Sequence, residues 1–84
     1  MTYKETLKKQ IIYRSTHRGT KEMDILLGSF VNKYIEKFNN IDLKNLNNLL
    51  MTEDEFLYQW YFNKRNLKKI PENKVSKKLK KFKL

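Results

Sequence analysis

Six charged or imidazole side chains crowd into the run RSTHRGTKEMD: Arg14, His17, Arg18, Lys21, Glu22 and Asp24, set around Gly19. His17 is the only histidine and Gly19 one of two glycines in a chain of 84 residues without cysteine. Such a set is suited to recognition more than to bond-making. A lone imidazole has no companion ligand for a metal, and the chain offers no nucleophile with an adjacent base and no phosphate-cradling glycine loop. A forked guanidinium, an imidazole and carboxylates beside a residue lacking Cβ would let another protein's backbone approach closely and be held by oriented hydrogen bonds. No catalytic residue, no metal ligand and no residue binding a cofactor is assigned.

Each of these residues also has a plainer reading. A glycine just past a helix end can adopt positive φ without a Cβ penalty, and Glu22 three residues later complements the dipole of the next helix. Arg14, His17 and Arg18 fall at i, i+3 and i+4, which groups them on one face of a helix's last turn. A solvated helix surface produces the same grouping. Lys21 and Asp24 are placed at the rim of the corner. Spacing alone leaves hinge and docking surface both open.

The elements that must position this corner are helical. Thr2 followed by Glu5 forms a capping box opening a first helix, with Tyr3, Leu7 and Ile11 as its apolar stripe and an end near His17 and Gly19. A second helix carries Met23, Leu27, Phe30, Tyr34 and Phe38 on one face, flanked by Leu26, Val31 and Ile35. Gly28 within it costs about 1 kcal/mol relative to alanine, which argues for close approach of a neighbouring helix or a partner. Asp42 is predicted to cap a third helix, with Ile41 and Leu46 as a hydrophobic staple and Leu43, Leu46, Leu49 and Leu50 facing inward. Thr52 with Glu55 repeats the capping box before a fourth helix bearing Phe56, Leu57, Trp60 and Tyr61, with Tyr58 pointing outward. Pro71 suits the first turn of a fifth helix, with Val75, Leu79 and Phe82 on one side. The expected fold is all-α, a small compact bundle of about five short helices: four around the core and a looser fifth. Residues 1–70 form the bundle that carries the corner, and residues 71–84 a lysine-rich C-terminal helix or tail.

Bulk properties narrow the function further. A chain of this length buries roughly 60 to 65% of its unfolded surface, enough for one modest core and not for a deep, dry active site. An enzyme is therefore not expected. No apolar run approaches about 18 residues and the N-terminus has no apolar signal core, so neither a membrane span nor secretion is expected, and the default compartment is a cytoplasm. The net charge of +10 is unevenly placed. Residues 1–62 hold nine Lys or Arg against eight Asp or Glu, whereas residues 63–84 hold ten against one. Lysine outnumbers arginine 16 to 3, asparagine occurs nine times and alanine is absent, a drift of composition more than a selection for phosphate, which arginine forks onto best.

The run from Arg14 to Phe30 resembles the signature of the FAD assembly factors of succinate dehydrogenase, the flavinator family, whose hallmark is R-G-x-x-E. Arg18, Gly19 and Glu22 match it. LNNLLMTEDEFLYQW, residues 46–60, is similar to the family's leucine pair, acidic spacer and L-x-x-W ending through Leu49, Leu50, Asp54, Leu57 and Trp60. The two matches cover about residues 14–61, and no counterpart is seen for the segment after Pro71. The resemblance implies a small helical bundle, a chaperone that is not itself the catalyst, in a family found in bacteria and mitochondria; with the compartment expected above, it would work in a bacterial cytoplasm. It would bind the flavoprotein subunit of succinate dehydrogenase or fumarate reductase, as a monomer, and promote covalent attachment of FAD to a histidine of that subunit. FAD would be attached to the partner and not bound by this chain. It further implies close backbone approach at Gly19, charged contacts to the flavoprotein from Arg18 and Glu22, and a neighbouring contact from His17.

The segment ENKVSKKLKKFKL supports a rival reading, a small basic helical protein that binds nucleic acid or an anionic surface through its lysines. Base-reading arginines interleaved with aromatics are missing from it, so no specific nucleic-acid partner is expected.

Overall fold

The computed structural model describes residues 2–84. Five α-helices follow one another: α1 (Tyr3–Thr16), α2 (Lys21–Tyr34), α3 (Asn40–Leu50), α4 (Asp54–Phe62) and α5 (Lys74–Lys81), with a single 3₁₀ turn at Ile35–Lys37. No strand occurs among the described residues. The all-α expectation holds.

Caps explain where most helices start. Thr2 accepts the Glu5 backbone N–H at 3.1 Å and donates its hydroxyl to the Glu5 carboxylate, as the capping pattern predicts. Thr20, not singled out in the sequence, caps α2 through the Met23 N–H. At α3 the cap is Asn39 and not Asp42: Asn39 Oδ1 accepts the Asp42 N–H at 2.8 Å while the Asp42 carboxylate accepts the Asn39 N–H. Ile41 is consequently inside the helix and 71% exposed, so the predicted staple with Leu46 does not form. The Thr52–Glu55 box is also absent. Helix α4 starts after Glu53 with no side-chain cap, and its first residue, Asp54, is paired with Arg18. Helix α5 begins three residues after Pro71, with Asn73 and Ser76 exchanging hydrogen bonds at 2.9 Å.

The apolar faces meet in one core. Leu7 and Ile11 of α1, Leu27 and Phe30 of α2, Leu43, Leu46 and Leu50 of α3, and Leu57 and Trp60 of α4 are buried together. Tyr3, predicted in the α1 stripe, is 68% exposed. Helix α2 ends four residues earlier than its stripe suggests; Phe38 reaches the core from extended backbone past the 3₁₀ turn, its ring stacked on Tyr34. Helix α1 packs on both α2 and α3. The lysine-rich fifth helix is no loose appendage: it packs on α3, and its Val75 and Leu79 are 0% and 1% exposed. Lysine stems make this possible. Lys80 lies over Trp60 and Lys68 over Phe56 at 5.2 and 4.7 Å from the ring centres, covering aromatic surface while keeping the charge in water. Among the described residues no buried side-chain nitrogen or oxygen lacks a partner.

Candidate functional site

Helix α1 stops at Thr16 because the backbone leaves helical geometry at His17, with φ −121° and ψ 59°. His17 and Arg18 therefore lie beyond the helix, and the predicted single face of Arg14, His17 and Arg18 does not exist. The two side chains part company. His17 stays outside, its ring stacked on Tyr13 at 3.9 Å between centres, with Nδ1 2.8 Å from the Tyr13 carbonyl oxygen. Since a carbonyl only accepts, Nδ1 carries the proton and Nε2 is left to solvent.

Arg18 turns inward. Its Nε donates to Asp54 Oδ1 at 2.6 Å, one terminal nitrogen donates to the carbonyls of Arg14 and Leu50 at 3.1 and 2.6 Å, and the other to Thr52 at 2.7 Å. Only 8% of its side chain is exposed, against 18% for Asp54. The guanidinium is thus a rivet through the end of α1, the end of α3 and the start of α4. It satisfies two carbonyls around the α3–α4 turn that no helix ladder reaches. Asp54 uses its second oxygen to accept the Gly19 N–H. The Arg18 backbone N–H goes to Asp24 Oδ1 at 2.6 Å, which closes the corner against the first turn of α2. Arg14 braces the same layer by donating to Asn47 Oδ1 at 2.8 Å.

This geometry corrects the account of Gly19. The residue does not have positive φ, so no left-handed conformation calls for glycine here. Space does: a Cβ at Gly19 would lie 3.0 Å from Asp54 Oδ2. Gly28 is different, since its Cβ would meet only Thr16 and the Ser15 carbonyl at 3.7 and 3.9 Å, which places the close neighbour on α1 of the same chain.

The seven predicted residues thus sort into two layers. Arg14, Arg18 and Asp24 are half-buried and bonded within the chain. His17, Gly19, Lys21 and Glu22 are exposed above them, and the four ion pairs among the described residues involve neither Lys21 nor Glu22. Asp54 was read from sequence only as part of the second motif; its pairing with Arg18, 36 positions away, has no local signature. No group of three His, Cys, Asp or Glu side chains among the described residues could hold a metal ion, and no helix is long and apolar enough to cross a membrane.

Comparison with known proteins places the chain in a family. The family described as flavinator of succinate dehydrogenase matches residues 9–83, which extends past the two motifs at both ends and takes in α5. A mitochondrial succinate dehydrogenase assembly factor 2 of Dictyostelium discoideum is 36% identical over 73 residues, 87% of this chain and 52% of that protein. Its namesake in Saccharomyces cerevisiae strain YJM789 is 32% identical over 72 residues, 86% of this chain and 44% of the other. The FAD assembly factor SdhE of Acetobacter pasteurianus is 33% identical over 69 residues, 82% of this chain and 61% of the relative. The chain spans about half the length of the mitochondrial relatives it matches. No solved structure matches it. With a match over nearly its whole length, and with Arg18, Gly19 and Asp54 of both motifs joined at one corner, the chain belongs to the flavinator of succinate dehydrogenase family.

Proposed function

We propose that this chain is an assembly factor that docks on the flavoprotein subunit of succinate dehydrogenase, or of the related fumarate reductase, and promotes covalent attachment of FAD to it. It acts as a monomeric chaperone in a bacterial cytoplasm and not as an enzyme, and the FAD ends on the partner. One observation carries the reading: Glu22 is an exposed carboxylate with no ion-pair partner among the described residues, beside the bare Gly19 backbone that Asp54 holds from below. A preformed, unspent patch of this kind loses little conformational entropy on binding.

The roles divide by layer. Glu22 and Lys21 make charged contacts to the flavoprotein, Gly19 admits its backbone, and His17 presents Nε2 at the edge. Arg18, Arg14 and Asp24 support the patch from within. The contribution to flavin attachment is positional: holding one minor conformer of the flavoprotein, in which the reacting groups meet, is worth several kcal/mol without chemistry on the factor.

The test is flavin attachment to the purified flavoprotein subunit, followed as covalent flavin fluorescence on a denaturing gel. Glu22→Ala, which removes no internal hydrogen bond or ion pair among the described residues, is expected to slow attachment about tenfold, a loss of roughly 1.4 kcal/mol of binding, with the fold kept and stability lowered by no more than about 0.3–1 kcal/mol, the contribution of one first-turn charge. Gly19→Arg is expected to abolish complex formation. Attachment at the wild-type rate with Glu22→Ala would remove the assignment.

A further inference from the structure

We propose that the groove between the C-terminal end of α2 and α5 is a second binding site, which takes an acidic peptide segment of a protein partner. A cavity of about 390 Å³ opens there, lined by Tyr34, Lys74, Lys77, Lys78, Lys81 and Phe82. It lies at the far end of α2 from the Gly19 corner, about 20 Å along the helix axis. Nothing in the roles assigned to the corner uses it.

Charge is the first argument. The Lys78, Lys33 and Lys37 ammonium groups converge on the Tyr34 ring at 4.8, 5.4 and 5.8 Å from its centre. Lys74 and Lys77 have carboxylate partners in Asp42 and Glu72. Among the described residues Lys33, Lys37, Lys78 and Lys81 have none. Like charges gathered this closely repel one another, and a ligand bearing several negative charges relieves that repulsion at once.

Shape and chemistry then select the occupant. From Lys74 to Lys81 the rim runs about 10 Å, the reach of about three extended residues, so several carboxylates in succession engage it better than one small anion. A single nucleic-acid strand gains over a peptide of equal charge by stacking its bases on open ring faces. Here Phe38 stacks on Tyr34 with planes 16° apart, ammonium groups lie over the same ring, and Phe82 is set edge-on against both Phe30 and Tyr34. A membrane-bound basic helix needs a free apolar face to insert. Val75 and Leu79 are spent in the core. The groove is also rigid: the Tyr61 hydroxyl donates to the Phe82 carbonyl oxygen and pins the end of α5.

The test is fluorescence anisotropy of a dye-labelled decapeptide of Asp and Glu residues titrated with the full chain at low ionic strength. Lys33→Glu with Lys78→Glu is expected to weaken binding about tenfold or more, while Lys4→Glu with Lys9→Glu, an equal change of net charge on the exposed side of α1, leaves affinity within about twofold. Lys37→Gln with Lys81→Gln gives the same loss as the first pair, in smaller degree, and serves if the charge reversals reduce helicity. Equal weakening by the α1 pair would overturn the proposal, because attraction would then reside in net charge and not in the groove. Tighter binding of labelled oligothymidylate, or of vesicles containing phosphatidylserine, than of the peptide would overturn it too.

Discussion

Gly19 and Asp54 form a pair whose meaning lies in their contact. The Asp54 carboxylate serves Arg18 Nε and the Gly19 N–H together, and a methyl group at Gly19 would press on the same oxygen. Asp54→Ala is expected to cost about 2–3 kcal/mol, chiefly because the part-buried Arg18 guanidinium loses its charged acceptor, the exposed Gly19 N–H being free to turn to water. Gly19→Ala is expected to cost about 1 kcal/mol in the natural chain and close to nothing in the Asp54→Ala background, a coupling that urea unfolding of the two single variants and the double variant measures directly. Additive costs would mean that the backbone at Gly19, and not Asp54, demands the glycine. This part of the site was half legible from sequence. The residue types around Gly19 marked the corner and the two motifs marked its members, but spacing places Arg18 on a helix face. Its inward turn depends on carbonyls at Leu50 and Thr52 that are freed only when α3 ends there.

The start of α1 was legible, since Thr2 with Glu5 makes the box that forms, and the start of α3 was ambiguous, since two residues could cap it. Asn39 and Asp42 are both good caps, and the frame starting from Asn39 wins because it makes Asp42 its reciprocal partner three residues on. Thr52 lost to a tertiary demand: once Asp54 is committed to Arg18, the turn is held by the guanidinium on the Thr52 carbonyl instead of a hydroxyl cap. The α2 stripe was read correctly up to Tyr34 and misread at Phe38, since burial continues into the core after helical geometry has ended. Gly28 yields a prediction for α2 itself. Its position has ordinary room for a methyl group against Thr16, so Gly28→Ala is expected to stabilise the chain by up to about 1 kcal/mol. Thermal melting checks it; a lower midpoint would show that the α1–α2 contact is tighter than these distances allow.

For the molecule as a whole, the radius of gyration of 12.0 Å is the roughly 12 Å expected for a folded single domain of this length. Compactness depends on α5. The sequence placed Val75 and Leu79 on one side of a looser fifth helix; its lysine excess hid how completely that side is buried, because lysine stems can sheathe aromatic rings. A chain ending at residue 70 is expected to lose cooperative melting. Two fully buried aliphatic side chains contribute about 1.5–3 kcal/mol each, a large share of the roughly 5–15 kcal/mol that keeps a small domain folded. Circular dichroism of that truncated chain against the full one measures the loss. The connection from Asn63 to Asn73 is the longest among the described residues and is exposed from Asn63 to Lys69, before Ile70 enters the core, with Lys64 and Lys69 at positive φ. In thermodynamic terms it makes α5 a tethered ligand of the other four helices, held near its seat at an effective concentration in the millimolar range. Cleavage anywhere in that strand would turn an intramolecular association into a bimolecular one, so proteolysis at a single exposed bond would dilute the last helix away and take the remaining core with it.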